Sequence, residues 1–391
     1  RYCLVTVDSL GLTTGLSDTL RQRIARILCT SASAVMLCCT HTHSAPASMP
    51  FRGVMGLIDE AWLARTSDAI VALVSTLPER LAPAQLAGGT TTVAGIGYNR
   101  QDPSRSASDA LRVLAVESLD GARIATLLHY ATHAVVLGPR NLQFSADFPG
   151  AAAHAVVQRH GGVAIYLQGA CGDIDPLVYR ERGWGTGTFD DCAGIGEQLA
   201  DGADAALAGA PRTPAITLAA HARETAIPLD PPPRPDERAA LAHEFEAQRV
   251  AALQPPANRV DELCATAMLQ WADELSRALA CGRLPSELRA ETSVFRLGDV
   301  VIAGAPFELY SDIARSLEHA LAPRLALCTG YANGLYGYCP SRWAKEQGGY
   351  GADSSCRWFP ALLTPLAAGA DQVLVDAMLS GAYHQSQPTI S

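Results

Sequence analysis

Two histidines separated by one residue are the clearest sign of chemistry in this 391-residue sequence. His41 and His43 end the apolar run in AVMLCCTHTHSAPAS. On an extended strand, residues i and i+2 share a face, so both imidazoles should point into the same space. One ring could then bind a metal beside a second ring that donates to a substrate. Two half-buried histidines bonded to backbone groups are the alternative.

A second pair of histidines follows the same plan. His129 lies inside the apolar run of ARIATLLHYATHAVV, and His133 lies just after it, before a polar turn and a predicted helix. Histidines that emerge from neighbouring strands are an ordinary way to build a zinc site. We expect His133 to face such a site and His129 to be a core histidine. Asp147 is either the N-cap of the predicted helix or a carboxylate that orients a metal ligand.

Three carboxylates and a tyrosine-rich segment complete the candidate chemistry. Asp173 and Asp175 lie in the small-residue loop of VAIYLQGACGDIDP, where they could bind metal, act as bases or cap the turn, and turn capping is favoured. Glu308 follows a predicted strand in VVIAGAPFELYSDIA. The segment CTGYANGLYGYCPSRWAKEQGGYGADSS is dense in tyrosine and glycine, which is typical of a cleft wall.

The elements that must position these residues alternate between strands and helices. Amphipathic stretches that begin at Asp18, Asp59, Asp147 and Asp190 predict helices. Apolar runs rich in β-branched residues predict buried strands at 2–7, 34–39, 124–129, 163–167, 300–303 and 325–329. This alternation indicates the α/β class, with a mixed central sheet flanked by helices.

The segment 230–289 interrupts that pattern. It opens with PLDPPPRPDE and contains two polar helical patterns, 237–253 and 260–279, which QPPAN separates. We interpret it as an inserted helical hairpin within a single domain that covers 1–391.

Composition and charge narrow the possible functions. A net charge of −9 and the absence of a Lys/Arg block argue against a nucleic-acid partner. No apolar run reaches the roughly 18 to 20 residues that span a bilayer, so we expect no transmembrane segment. Eleven dispersed cysteines without a CxxC pair favour reduced core thiols and the cytoplasm. A chain that starts at Arg1 leaves a removed targeting signal, and hence a secreted or periplasmic protein, open.

Four of these segments, in this order, resemble the catalytic domain of the neutral, non-lysosomal ceramidases and their bacterial relatives, which are zinc amidohydrolases. THTHSAPA is similar to the THTHSGP strand end of that family, and YATHAVVLGPRNLQFSADFPG to its histidine and SxD segment. LQGACGDIDP is similar to its GDVSPN loop, and GYCPSRWAKEQGGY to its tyrosine-rich segment. The resemblance extends from about His41 to Tyr350 and does not include the segment 230–289.

The resemblance implies a single Zn²⁺ with two imidazole ligands, a carboxylate and a phenol. By position these ligands are His41, His133, Glu308 and Tyr338. The match is least direct for Glu308, because the family has a PGE turn where this chain reads GAPFE and the carboxylate lies one helical turn further along.

The resemblance also implies that His43, Arg100 in GIGYNRQ, and Tyr350 polarise the substrate carbonyl. Asp175 stands where the family carries a serine proposed to contribute to catalysis, so a serine nucleophile is excluded at this position. We therefore expect attack by metal-activated water, with Asp175 either as the general base or as a group that recognises a charged or hydroxylated substrate.

These residues together predict a zinc-dependent hydrolase that cleaves an amide (N-acyl) bond in a small molecule or a lipid amide. The chain ends soon after the tyrosine segment, so we expect it to lack the immunoglobulin-like C-terminal domain of the large ceramidases. A smaller, more soluble N-acyl substrate than ceramide is expected as a result. A zinc esterase or lactonase, and a non-catalytic binding protein that retains the fold, are the alternatives.

Overall fold

The computed structural model describes residues 1–53, 57–214 and 216–384. Strands and helices alternate along most of the chain, as the apolar runs predict. The strands are β1 (Cys3–Val7), β2 (Val35–Cys39), β3 (Ala84–Thr92), β4 (Gly97–Asn99), β5 (Ala110–Ser118), β6 (Arg123–Tyr130), β7 (Val163–Gln168), β8 (Ile174–Pro176), β9 (Leu218–Pro228), β10 (Glu287–Leu297), β11 (Val300–Gly304), β12 (Glu308–Leu309), β13 (Leu325–Thr329) and β14 (Tyr338–Cys339). The helices are α1 (Thr14–Leu28), α2 (Glu60–Ser75), α3 (Asp147–His160), α4 (Leu177–Arg182), α5 (Phe189–Leu207), α6 (Pro235–Ala252), α7 (Arg259–Ala280), α8 (Ser311–Leu321), α9 (Arg342–Gln347) and α10 (Ala370–Tyr383).

Two mixed four-stranded sheets form the centre of the fold. One has the order β3-β5-β6-β7 and the other the order β13-β11-β10-β9, and each contains one parallel pair, β6 with β7 and β11 with β13. The predicted α/β class is confirmed, with the strands hydrogen bonded as several sheets. Side chains of both large sheets meet in one apolar cluster, because each sheet presents an apolar face to the other. Members of this cluster are Leu114, Leu127, Phe295 and Ile302.

The helix starts depend on which side chain reaches the free backbone amides. Asp59 caps α2 by accepting from the Trp62 amide at 2.9 Å, as predicted. The prediction is wrong for Asp18, which lies inside α1, since Thr13 caps that helix. It is also wrong for Asp190, because Thr188 caps α5. In both cases a threonine hydroxyl lies just before the first turn, where it satisfies a free amide.

Helices α6 and α7 confirm the two helical patterns predicted within 230–289. They lie between β9 and β10, which pair with each other along their whole length. The two helices bury a small apolar cluster of their own that includes Phe245, Met268 and Trp271. The insertion therefore begins and ends at the same end of the β9–β10 pair, which is the geometry of an inserted hairpin. The assignment of the whole chain to a single domain stays a prediction.

The chemistry-bearing residues follow the carboxyl ends of strands that lie close together. His41 comes two residues after β2, and His133 comes three residues after β6. Isolated bridges join Cys38 to Ala332 and Gly169 to Thr329, so the ends of β2, β7 and β13 meet. Side chains at such strand ends are held in place by the hydrogen-bonded sheets, so their positions vary little.

All eleven cysteines are free thiols. Within the described ranges, no helix combines the length and the apolar character needed to span a lipid bilayer.

Candidate metal centre

Three side chains from distant parts of the sequence converge at one buried point. The Nε2 atoms of His41 and His133 lie 3.3 Å and 3.1 Å from Oε2 of Glu308. One ligand atom from each of the three residues falls within 4.8 Å of the others. All three residues are at most 3% exposed. Two imidazoles and a carboxylate at such spacing form a donor set that suits zinc.

Backbone carbonyls fix the orientation of both imidazoles. Nδ1 of His41 donates to the carbonyl oxygen of Leu10 at 2.7 Å, and Nδ1 of His133 donates to that of Ile174 at 3.0 Å. Each ring then presents an unprotonated Nε2 to the shared centre in its neutral form, which is the tautomer a metal requires. His41 also adopts a left-handed backbone conformation, with φ of 60°, so the turn after β2 aims this ring inward.

The pKa values of Glu308 and His133 are shifted so that both groups are charged when the cluster holds no cation. Burial alone would raise the pKa of Glu308, but His41 and His133 outweigh it and hold that pKa well below its usual range. Burial opposes protonation of His133, yet Cys171 and Glu308 raise its pKa to about 10. Glu308 is therefore ionised, and its charge is balanced by a proton on His133 that a bound cation would replace.

His43 lies beside the cluster, with its Nε2 3.3 Å from Nε2 of His41. The two rings are nearly perpendicular, with centroids 4.9 Å apart, so the prediction that both point into the same space is confirmed. His43 is accessible from the cleft, although protein surrounds it closely. Burial, together with His41 and His133, lowers the pKa of His43 well below its usual range, which keeps this imidazole neutral.

Arg100 joins three of the segments singled out in the sequence. Its guanidinium donates to the carbonyl oxygen of Gly172 at 2.8 Å and to the hydroxyl oxygen of Tyr338 at 2.9 Å. Nη1 of Arg100 lies 3.3 Å from Oδ1 of Asp175. Tyr338 is itself the register partner of Glu308 in the short parallel pair of β12 and β14. The structure therefore places Arg100, Asp175 and Tyr338 in one network next to the metal-ligand candidates.

Tyr350 stands at the outer side of this network. Its ring meets that of Tyr338 edge to face, with centroids 5.5 Å apart, and Tyr350 is 49% exposed. Burial and the charge of Glu308 raise its pKa above the usual value, so its hydroxyl remains a proton donor.

Three candidate residues have structural roles. His129 is buried, and its Nε2 bonds the carbonyl oxygen of Cys328 at 2.9 Å, so the predicted core histidine is confirmed. Asp173 accepts from the amide and the hydroxyl of Ser311 and thereby caps the start of α8. Asp147 is the first residue of α3 and not its N-cap, because its carboxylate instead accepts from the amides of the turn at 136–137 that follows His133.

Tyr331 is a site residue that the sequence did not single out. Its ring stacks on that of His41, with centroids 4.1 Å apart and planes 23° from parallel. Its hydroxyl lies 3.5 Å from Oε2 of Glu308 and 3.1 Å from the sulfur of Cys171. The only sequence signal was the density of tyrosines in its segment, which indicates a cleft wall but not which ring packs on which ligand.

We expect the ring of Tyr331, more than its hydroxyl, to support metal binding. Tyr331→Phe keeps the stacking on His41 and should change zinc affinity by only about twofold, whereas Tyr331→Leu should weaken it by about 10- to 100-fold. Competition with a chromophoric zinc chelator measures both affinities, and thermal unfolding reports any loss of stability. Equal affinities for Tyr331→Leu and the unmodified protein would contradict this role.

The cluster lies at one end of a cavity of about 400 Å³. Most of its walls are apolar or aromatic, and the imidazoles and the carboxylate contribute the polar end. The lining residues are Leu10, His41, His43, Phe51, Trp184, Cys264, Glu308, Tyr338, Tyr350, Trp358 and Phe359. A largely apolar cavity with a few convergent polar groups is the usual form of a small-molecule site.

Solved structures share this fold, while no protein family and no curated protein matches the sequence. A structure described as a ceramidase complexed with C2 is 18% identical, with a TM-score of 0.67, and the alignment covers 96% of this chain and 67% of that one. A neutral ceramidase from Pseudomonas aeruginosa is 19% identical, with a TM-score of 0.66 and coverage of 96% and 66%. The chain thus spans about two thirds of the length of these proteins. The predicted ceramidase-like resemblance is confirmed at the level of the fold.

Proposed function

We propose that this chain is a zinc-dependent hydrolase that cleaves the amide bond of an N-acyl compound. The observation that carries the proposal is the convergence of His41, His133 and Glu308 within 4.8 Å at the polar end of an apolar cavity. The fold shared with two ceramidases supports an amide as the bond that is cleaved.

The donor set fits zinc in three respects. The two Nε2 atoms and the carboxylate oxygen are the atom types that zinc accepts, and carbonyl groups already hold both rings in the required tautomer. Tyr338, as the register partner of Glu308, is the candidate for a fourth ligand. When bound at such a site, zinc supplies Lewis-acid chemistry and lowers the pKa of water toward neutrality.

The remaining polar groups around the cavity can orient and polarise a substrate carbonyl. His43 is neutral at physiological pH and can therefore donate one hydrogen bond from its ring. The protonated hydroxyl of Tyr350 offers a second donor at the accessible side of the cavity. Donors held in place before the reaction stabilise negative charge as it develops on the carbonyl oxygen. Arg100 supports this arrangement through its hydrogen bond to Tyr338.

The position of Glu308 weakens the case for a non-catalytic binding protein. That alternative depended on the altered GAPFE turn, which could have removed the carboxylate from the site. The carboxylate instead lies within 3.3 Å of both imidazoles. We therefore retain a hydrolase as the proposal, with a soluble N-acyl compound as the preferred substrate class.

The test is a measurement of zinc content and of hydrolysis on the same purified protein. We expect about one zinc per chain by elemental analysis, loss of activity on chelation, and recovery when zinc is restored. The substrate panel should contain N-acyl amines and N-acyl amino acids of several chain lengths, ceramide in detergent, and esters of matching structure. Full activity in metal-free protein would refute zinc dependence, and exclusive cleavage of esters would replace the amide proposal by an esterase.

A further inference from the structure

Three aromatic side chains form an apolar wall of the cavity. The rings of Phe51 and Phe359 meet edge to face with centroids 5.1 Å apart, and the ring of Phe359 also contacts Tyr338 at 6.3 Å. Trp358 lines the same cavity. This aromatic wall of Phe51, Trp358 and Phe359 continues directly from the candidate metal ligands into the apolar part of the cavity.

The inserted hairpin contributes one residue to the cavity and packs against the segment that carries Trp358 and Phe359. Cys264, in the second turn of α7, lines the cavity, while Trp271 of the same helix donates through Nε1 to the carbonyl oxygen of Leu363 at 2.9 Å. The guanidinium of Arg357 lies over the Trp271 ring at 4.9 Å from its centroid. The segment 356–363 is therefore held between the cavity on one side and the hairpin on the other.

Arg52 links the aromatic wall to the hairpin through buried hydrogen bonds. Its side chain is fully buried and reaches Oε2 of Glu274 on α7 at 2.6 Å and 2.8 Å. Its Nη1 also donates to the carbonyl oxygens of Cys356 and Phe359, at 3.3 Å and 2.9 Å. Since Arg52 follows Phe51 directly, one buried cation joins both ends of the aromatic wall to the hairpin. A buried guanidinium with its donors satisfied in this way is a rigid connection.

From this arrangement we propose that the hairpin is a specificity element, and that Cys264 and the aromatic wall receive the linear apolar chain of an N-acyl substrate. The inference rests on the proposed function and adds to it the part of the substrate that is recognised. A cavity of about 400 Å³ is near the lower end of the range for small-molecule sites, so it suits one acyl chain better than two long chains. Among the described residues that line the cavity, Glu308 is the only carboxylate, and it lies at the polar end and not in the apolar part.

Narrowing the cavity at Cys264 should discriminate against long acyl chains. The unmodified protein should prefer N-dodecanoylethanolamine over N-acetylethanolamine in kcat/KM, and Cys264→Trp should reduce that preference by about tenfold or more. Cys264→Leu adds less volume and serves as a second variant, with a smaller reduction. Cys281→Trp at the exposed C-terminal end of α7 is the matched control and should leave the preference unchanged.

Two outcomes separate this inference from the proposed function. If the unmodified protein hydrolyses both compounds and Cys264→Trp lowers both rates equally or neither, the specificity element is overturned while the hydrolase stands. If the unmodified protein hydrolyses neither these two compounds nor any other amide of the wider panel, the proposed function fails. Calorimetric binding of N-dodecanoylethanolamine then tests the wall by itself: weaker binding to Cys264→Trp than to Cys281→Trp supports it, and equal binding overturns it.

Discussion

Replacing His41 by alanine should empty the metal site and reduce kcat/KM by about a thousandfold or more, since the Lewis acid contributes several kcal/mol to the reaction. His41 provides one of the three converging ligand atoms, and its ring is already oriented by the carbonyl group of Leu10. Without it, His133 and Glu308 remain as a two-residue site, which binds zinc far more weakly. Zinc per chain by elemental analysis and kcat/KM on the best N-acyl substrate are the two measurements.

The control for this variant is His154→Ala, which removes an exposed imidazole from α3. It should retain full zinc content and activity. Because His41 is buried, thermal unfolding of both variants must show that the fold persists. Full zinc content in His41→Ala would mean that the ligand assignment is wrong, and His43, whose Nε2 is 3.3 Å away, would be the replacement candidate.

Arg100→Met should lower kcat/KM by about 10²- to 10³-fold, the usual cost of disturbing groups that stabilise the developing charge. The substitution keeps much of the side-chain volume but removes the donors to Tyr338 and to Gly172. It also leaves the carboxylate of Asp175 without its cation. We expect zinc content to stay near one per chain, since His41, His133 and Glu308 remain in place. Arg180→Met, on the exposed side of α4, is the matched control.

Asp175→Asn shows whether the carboxylate acts through Arg100 or as a base. Asp175 lies 3.3 Å from Arg100 but 3.8 Å from Nδ1 of His133, so its nearest charged partner is the guanidinium. We therefore expect a decrease in kcat of less than about tenfold, and no further decrease when Asp175→Asn is added to Arg100→Met. Loss of a general base would instead cost about 10²- to 10⁴-fold by itself. Unchanged kcat/KM in Arg100→Met would contradict the role of the whole network.

The strand runs and several individual roles could be predicted from the sequence because they depend on local pattern. The apolar runs at 34–39 and 124–129 correspond to β2 and β6, since a buried strand excludes polar residues over several positions. The prediction that His41 and His43 share one space is confirmed, although the left-handed turn at His41, and not alternation along an extended strand, brings the two rings together. His129 lies inside its apolar run, which already indicated a core residue. The order of the motifs pointed to the ceramidase-like fold.

Only the tertiary structure decided which of these side chains share a site. Glu308 reaches His133 across 175 residues of sequence, despite the altered turn, because the loop at 172–174 bonds to both: the Gly172 amide donates to the carbonyl oxygen of Leu309, and the His133 amide donates to that of Ile174. The same packing stacks Tyr331 on His41, pairs Asp175 with Arg100 and brings Cys264 of the hairpin into the cavity wall. A sequence pattern reports the periodicity of one element. Contacts between elements depend on how the apolar faces of the sheets and helices pack together. No local pattern encodes the distance between residues of different elements.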